Sequence, residues 1–286
     1  LESLAGNVNN LTYLITGGCG TLGQALTKEL LKYEPKAIRI FDNSEYAHWS
    51  MQEHFKDKRL RYFIGDIRDK DRLKRALHGV DVVVHAAALK HVHLCEYNPI
   101  DAIQTNIIGS VNLVEACLDC YIPKVIAIST DKAVHPVNLY GATKMAMEKL
   151  LIQSNVYGYT RFSCIRAGNF WTSKGSFISK LYQTDEDSTI EITDKDMMRF
   201  WIDIDSVSQF IIKCIGMMRG AEIFIPKMAE KNIMEIVSGI LPNAKCKFIG
   251  SRPGERLQEL LFAETEKPED MGDYFVIGKE LESGSL

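Results

Sequence analysis

Strands that are apolar from end to end, alternating with helix-period segments, limit most what this chain can fold into. In Val80-Asp81-Val82-Val83-Val84 nearly every position is apolar, so both faces must be covered, the condition of a strand inside a parallel sheet. The spacing predicts strands over 11–16, 37–41, 61–64, 80–87, 124–129 and 162–165. Helices are predicted between them over 21–33, 50–55, 70–77, 101–120 and 140–155. Alternation of this kind means an α/β domain, doubly wound around a parallel sheet. After about residue 170 it fails, leaving helices near 178–183, 206–218 and 233–240 among short strands and Gly- or Pro-bearing joints. Ligands of such folds sit beyond the carboxyl ends of the strands, where a smaller C-terminal α/β cap closes the pocket. The expected division is 1–170 for the sheet domain and 171–286 for a substrate-binding cap, with some strand exchange between them.

Composition works by exclusion. The chain has 34 basic and 37 acidic residues, a formal charge of −3, which gives no global field for nucleic acid or an anionic membrane. Val80 to Leu89 is interrupted by Asp81 and His85 and falls short of the ~18 residues that span a bilayer. Leu1 to Asn10 lacks the basic flank and apolar stretch of a signal peptide. A cytoplasmic protein without membrane or nucleic-acid partners is expected. The seven cysteines are an odd number, scattered among apolar neighbours, and read as reduced thiols. Cys117 and Cys120 form one C-x-x-C with no second pair to complete a zinc site, so no metal is expected.

Thr16-Gly17-Gly18-Cys19-Gly20-Thr21-Leu22-Gly23 sets glycines 17, 20 and 23 between a strand and a helix, where backbone N–H groups must approach a pyrophosphate closely. Asp42, closing the second strand, suits a ribose diol and repels a 2′-phosphate. Together they predict a Rossmann domain that holds NAD rather than NADP. Asp66 and Ile67 after the third strand are placed for the adenine, and Ala86, Ala87 and Ala88 after the fourth for a small-residue floor beside the cofactor. Taken singly, each also fits a turn, a cap or packing.

Tyr140 and Lys144 stand at i and i+4 on one helix face. The ammonium can lower the phenol's pKa, and a phenolate near a nicotinamide can take a hydroxyl proton. Thr130, Asp131 and Lys132 close the fifth strand with an acid and a base side by side, a pattern a solvated turn also gives. Asn106 falls mid-helix, either bonding locally or touching the cofactor near the Tyr140 and Lys144 pair.

Together these residues resemble the extended short-chain dehydrogenase/reductases, and more narrowly their UDP-N-acetylglucosamine 4,6-dehydratases. The narrower likeness rests on Ala86-Ala87-Ala88-Leu89-Lys90-His91-Val92, Ser129-Thr130-Asp131-Lys132-Ala133, Tyr140 to Lys144, Met198-Arg199-Phe200-Trp201-Ile202 and Arg252-Pro253-Gly254-Glu255. It implies a redox-neutral lyase with a tightly bound, recycled NAD. Tyr140 deprotonates the C4 hydroxyl as hydride leaves, Lys132 removes the C5 proton, Asp131 protonates the departing C6 hydroxyl, and hydride returns to C6. It also implies that Lys90, Thr130, Asn169, Lys174, Arg199, Arg252 and Glu255 hold the UDP-sugar and that the chain forms a homo-oligomer. Inversion at C5 is favoured, because Tyr140 is retained where the larger membrane-bound members commonly carry methionine. Trp171, Thr172 and Lys174 depart from the usual R-x-G-N-V-x-G-S-R-G. A UDP-sugar 4-epimerase and a non-catalytic dinucleotide sensor are the alternatives.

Overall fold

The structure is a computed structural model that describes residues 8–173, 175–186 and 188–278. The chain begins β1 (Thr12–Thr16), α1 (Thr21–Leu30), β2 (Ala37–Asp42), α2 (Glu45–His54), β3 (Leu60–Ile64), α3 (Lys70–Leu77) and β4 (Val82–His85). It continues through α4 (Val92–Tyr97), α5 (Pro99–Ile103), α6 (Gly109–Asp119), β5 (Lys124–Thr130), α7 (Leu139–Gln153) and β6 (Arg161–Ala167). The strands lie in the order β3-β2-β1-β4-β5-β6, all parallel. This is the doubly wound Rossmann order, with its switch point between β1 and β4.

The pleat explains the uniformly apolar strands. Tyr13 and Ile15 of β1, Val82 and Val84 of β4, and Ile126 and Ile128 of β5 enter one core with Leu22, Leu26 and Leu30 of α1. The residues between them, Leu14, Val83, Val125 and Ala127, enter a second core with Leu73 and Leu77 of α3, Leu113 of α6 and Met147 of α7. Each strand is covered on both faces, so neither face can be polar.

Three boundaries differ from expectation. The helix expected over 50–55 begins at Glu45, because Ser44 caps it by accepting the Ala47 N–H at 3.2 Å. The strand expected over 80–87 contracts to Val82–His85, leaving residues 86–90 as irregular chain at the sheet's carboxyl edge. The helix expected over 101–120 is broken at Gln104–Ile108, which winds as a π turn and buries Asn106; such turns concentrate at functional sites.

Beyond β6 come β7 (Asn169–Phe170), α8 (Phe177–Leu181), β8 (Thr189–Ile192), β9 (Met198–Ile202) and α9 (Ile204–Met217). Then follow β10 (Ile223–Pro226), β11 (Ala229–Asn232), α10 (Ile233–Ile240), β12 (Lys245–Phe248), β13 (Glu269–Asp270) and β14 (Tyr274–Ile277). The large sheet continues into this region: β10 joins β6 in parallel, and β14 and β13 extend the edge antiparallel. Helix α9 packs against α1 through the first core. The small sheets β11-β9-β7 and β12-β8 enclose a third core of Ile178, Ile190, Trp201, Ile233 and Val237. Between β12 and β13 the chain runs as a strap across the C-terminal ends of the parallel strands. It is pinned where Leu257 O accepts the Met198 N–H at 2.8 Å, Gly254 O accepts from Asn138 Nδ2 at 2.8 Å, and Leu261 O accepts from Arg166 Nη1 at 2.8 Å.

Candidate active site

A cavity of about 810 Å³ opens at the carboxyl edge of the sheet, over the switch point. Gly17, Gly20, Thr21, Leu22 and Gly23 line one end of it with Asp42, Asp66 and Ile67. Ala86, Ala87, Ala88 and Lys90 form its floor, and Thr130, Lys132, Tyr140, Lys144 and Asn169 its other end.

The glycine turn fits a dinucleotide for steric reasons. Gly17 has φ +65°, and a Cβ there would sit 2.8 Å from the Ala87 Cα; a Cβ on Gly23 would sit 2.4 Å from the Gly18 carbonyl oxygen. Only glycine permits this closeness of loop, strand and helix. Helix α1 starts at the cavity with no side-chain cap, which turns its first amides and the positive end of its dipole to an anion. Asp42 accepts the Cys19 N–H at Oδ2 and the Ser44 N–H at Oδ1, both at 3.1 Å. A carboxylate offers about four acceptor positions, so a ribose diol can use the rest. Asp66 lines the cavity and is also held from the protein side. Arg68 grips it through Nε at 3.0 Å and Nη2 at 2.7 Å and holds its carboxyl below the usual range. Arg68, which also lines the cavity, was not foreseen as a site residue.

Behind the cavity runs a directional polar chain. Burial, with Lys144 nearby, lowers the His85 pKa to about 3, so the imidazole is neutral. Ser110 Oγ donates to the Asn106 carbonyl at 2.7 Å, so it receives from His85 Nε2 at 3.1 Å, and His85 Nδ1 accepts from Thr16 Oγ1 at 2.8 Å. Asn106 Nδ2 donates to Leu89 O at 2.9 Å and to Thr143 Oγ1 at 3.0 Å, and its Oδ1 accepts the Leu89 N–H at 2.8 Å. Thr143 Oγ1 in turn donates to the Tyr140 carbonyl at 2.8 Å. Asn106, expected to touch cofactor, therefore spends its amide on Leu89 and on Thr143 of α7, and it does not line the cavity.

Tyr140 and Lys144 occupy the first turns of α7, which Asn138 caps by accepting the Gly141 N–H at 2.8 Å. Burial and the nearby Asp131 push the phenol up; a hydrogen bond with Thr130 acts the other way. The phenol is thus raised, where Lys144 was expected to lower it. Lys144 is 4% exposed, with Nζ 3.3 Å from Met147 Sδ, and burial lowers its pKa to about 8. A lysine lowered from 10.5 penalises folding fully below pH 8, and the penalty fades as pH rises toward 10.5. Lys144→Met in nucleotide-free protein should therefore unfold about 3 kcal/mol less readily at pH 7, with the advantage gone by pH 10.5 and activity lost. Melting curves across that range check it; an advantage independent of pH refutes the assignment.

β5 ends in a 3-10 turn, Asp131–Ala133. Asp131 is fully buried: its Oδ1 accepts from Thr130 Oγ1 at 2.9 Å and Lys132 Nζ at 3.0 Å, while its Oδ2 has no hydrogen-bond partner. Lys132 also faces Glu259 of the strap, 3.6 Å from its Oε1, a residue with no local sequence signal.

Three expected sugar-nucleotide residues stand away from the cavity. Arg199 is buried, with Nη1 bonded to Met198 O at 2.7 Å and Leu257 O at 3.1 Å: it fastens β9 to the strap. Arg252 is exposed, and Glu255 turns its carboxylate back to the Arg252 N–H at 3.2 Å, closing their own loop. Lys174 lies outside the described residues.

A family described as polysaccharide biosynthesis protein matches residues 13–279. The chain belongs to that family. Among its relatives, an uncharacterized membrane protein of Methanocaldococcus jannaschii is 43% identical over 93% of this chain and 85% of its own length. A UDP-N-acetylglucosamine 4,6-dehydratase (inverting) of Campylobacter jejuni is 44% identical over 89% and 78%, and a UDP-glucose 4-epimerase of Rickettsia felis 35% over 93% and 82%. In structure the family member is similar to Pen from Bacillus thuringiensis, with TM-score 0.91, 35% identity and coverage of 94% of this chain and 90% of that one. It shares the fold of DesIV, a dTDP-glucose 4,6-dehydratase from Streptomyces venezuelae solved with NAD bound, at TM-score 0.81, 23% identity and coverage of 88% of each chain. The family chain has, among its described residues, no helix long and apolar enough to cross a membrane.

Proposed function

We propose that this chain is a UDP-N-acetylglucosamine 4,6-dehydratase that inverts C5. The observation that carries the reading is the second acid and base pair. Tyr140 alone serves an epimerase, which moves one proton on and off one hydroxyl, whereas elimination of water needs a base for a carbon-bound proton and an acid for the leaving oxygen. Lys132 lines the cavity and Asp131 lies 3.0 Å behind its Nζ. The likeness to the Campylobacter dehydratase supports the same reading.

The residues around Gly17 and Asp42 suit NAD, which when bound supplies a hydride acceptor and donor at the sugar. Tyr140 takes the C4 hydroxyl proton, and the resulting ketone makes the C5 proton acidic enough for an amine. Lys132 removes that proton, and Asp131 donates to the C6 hydroxyl, which departs as water. Lys90 and Asn169, both on the cavity wall, hold the nucleotide sugar, and the segment around the third core forms the cap above it.

Incubation with UDP-N-acetylglucosamine is expected to give a product lighter by one water, and in D₂O its NMR spectrum shows deuterium at an inverted C5. An unchanged mass with altered stereochemistry identifies an epimerase instead. Asp42→Ser should shift the preference toward NADP by about tenfold or more, the loss of charge-assisted bonds to a diol. Titration calorimetry with both dinucleotides measures it; a native protein that already prefers NADP overturns the role given to Asp42.

A further inference from the structure

Lys132 has a partner that the reaction as described does not use. Glu259 is 5% exposed and lies 3.6 Å from the Lys132 Nζ, on the strap between β12 and β13, far along the chain from the turn that carries Asp131. A buried carboxylate is costly unless it has a polar partner, and the Lys132 amine, which the elimination turns into an ammonium, is the group the structure sets against it. The strap bearing Glu259 is fixed around that point: Arg256 donates to Val134 O at 3.2 Å and to His135 O, Gly254 O is held by Asn138, and Leu261 O by Arg166.

We propose that Glu259 is a positioning residue for Lys132, and this rests on the dehydratase reading above. Asp131 is the residue adjacent to Lys132 and cannot by itself fix the end of a four-carbon stem, whose rotamers are costly to restrain. A second anchor from a distant segment does so. In the elimination the C5–H bond breaks and its proton joins Lys132 Nζ. The electron pair forms the C5–C6 double bond as the C6–O bond breaks, and the departing hydroxyl takes the Asp131 proton and leaves as water. Lys132 ends as an ammonium and Asp131 as a carboxylate. Glu259 exchanges no proton in this step and keeps Nζ aimed into the cavity while Asp131 gives up its proton. Its effect falls on the elimination and spares the earlier oxidation at C4, which depends on Tyr140.

The test uses the full-length protein with its bound cofactor and follows two signals from UDP-N-acetylglucosamine: the near-ultraviolet absorbance of reduced nicotinamide, which reports C4 oxidation, and the mass of the product, which reports water loss. Glu259→Gln is expected to oxidise C4 at a rate within about twofold of the native protein, to accumulate reduced cofactor, and to release water about 100-fold more slowly, the scale of a reacting group displaced by about 1 Å. Glu259→Asp keeps the charge on a shorter arm and is expected to recover water release in part. Native water release in Glu259→Gln overturns the proposal. So does an equal loss of both signals together with a lowered melting temperature, or a Glu259→Asp variant no faster than Glu259→Gln. If the native protein reduces its cofactor and never releases water, the dehydratase reading itself falls and the role of Glu259 falls with it, an outcome distinct from failure of the variants alone.

Discussion

Lys132→Met is expected to stop water release while leaving the cofactor bound and reducible. Methionine keeps the apolar stem of Lys132 against the 3-10 turn and removes the nitrogen that lines the cavity. A positioned general base contributes about 10²–10⁴-fold, so dehydration should fall by that factor. The Gly17 turn, Asp42 and Tyr140 are untouched, and single-turnover reduction of the nicotinamide should stay close to native. Product mass and cofactor absorbance on the same sample give both numbers. Native dehydration in the variant removes Lys132 from the chemistry.

The second large effect is on stability. Arg166 of β6 is nearly fully buried and bidentate to two carboxylates: Nε and Nη2 bond Glu148 at 3.1 and 2.8 Å, and Nη1 and Nη2 bond Glu266, both at 2.8 Å. The cluster ties helix α7 and the end of the strap to the sheet. Arg166→Met leaves Glu148, 3% exposed, without its counter-charge, and breaking a buried pair from one side costs about 3–5 kcal/mol. A fall in melting temperature on the order of 10 °C follows for a chain of this size. Replacing all three with apolar residues of similar volume should recover most of the loss. A triple variant no more stable than Arg166→Met contradicts the electrostatic account.

The sheet and the glycine-lined end of the cavity were legible in the sequence because both are written locally. Apolar strands must be covered twice, and Gly17, Gly23 and Asp42 each act through neighbours in one βαβ unit. Illegible parts depend on chain brought back from far away. Arg199 carries the charge and donor geometry of a diphosphate ligand, yet in the fold it meets two carbonyls, one of them on a strap whose path no periodicity reveals. Glu259 sits in Leu257-Gln258-Glu259-Leu260-Leu261, which reads as surface until the strap folds it against Lys132. The break of the 101–120 helix had a faint sign in Asn106, a residue whose side chain competes with helical bonding.

The chain of hydrogen bonds from Thr16 through His85, Ser110 and Asn106 to Thr143 separates two properties that enzyme engineers treat together. Asp42, to which the proposed function assigns the choice between dinucleotides, is no part of that chain. Its replacement leaves the support of Tyr140 alone, so cofactor preference is a module that can be exchanged by itself. His85 sits in the middle, with one nitrogen on Thr16, which closes β1 before the glycine turn, and the other on Ser110 of α6, from which the chain leads through Asn106 to α7. Any substitution there is felt at both ends at once, which makes a residue that does not line the cavity among the least exchangeable in the molecule.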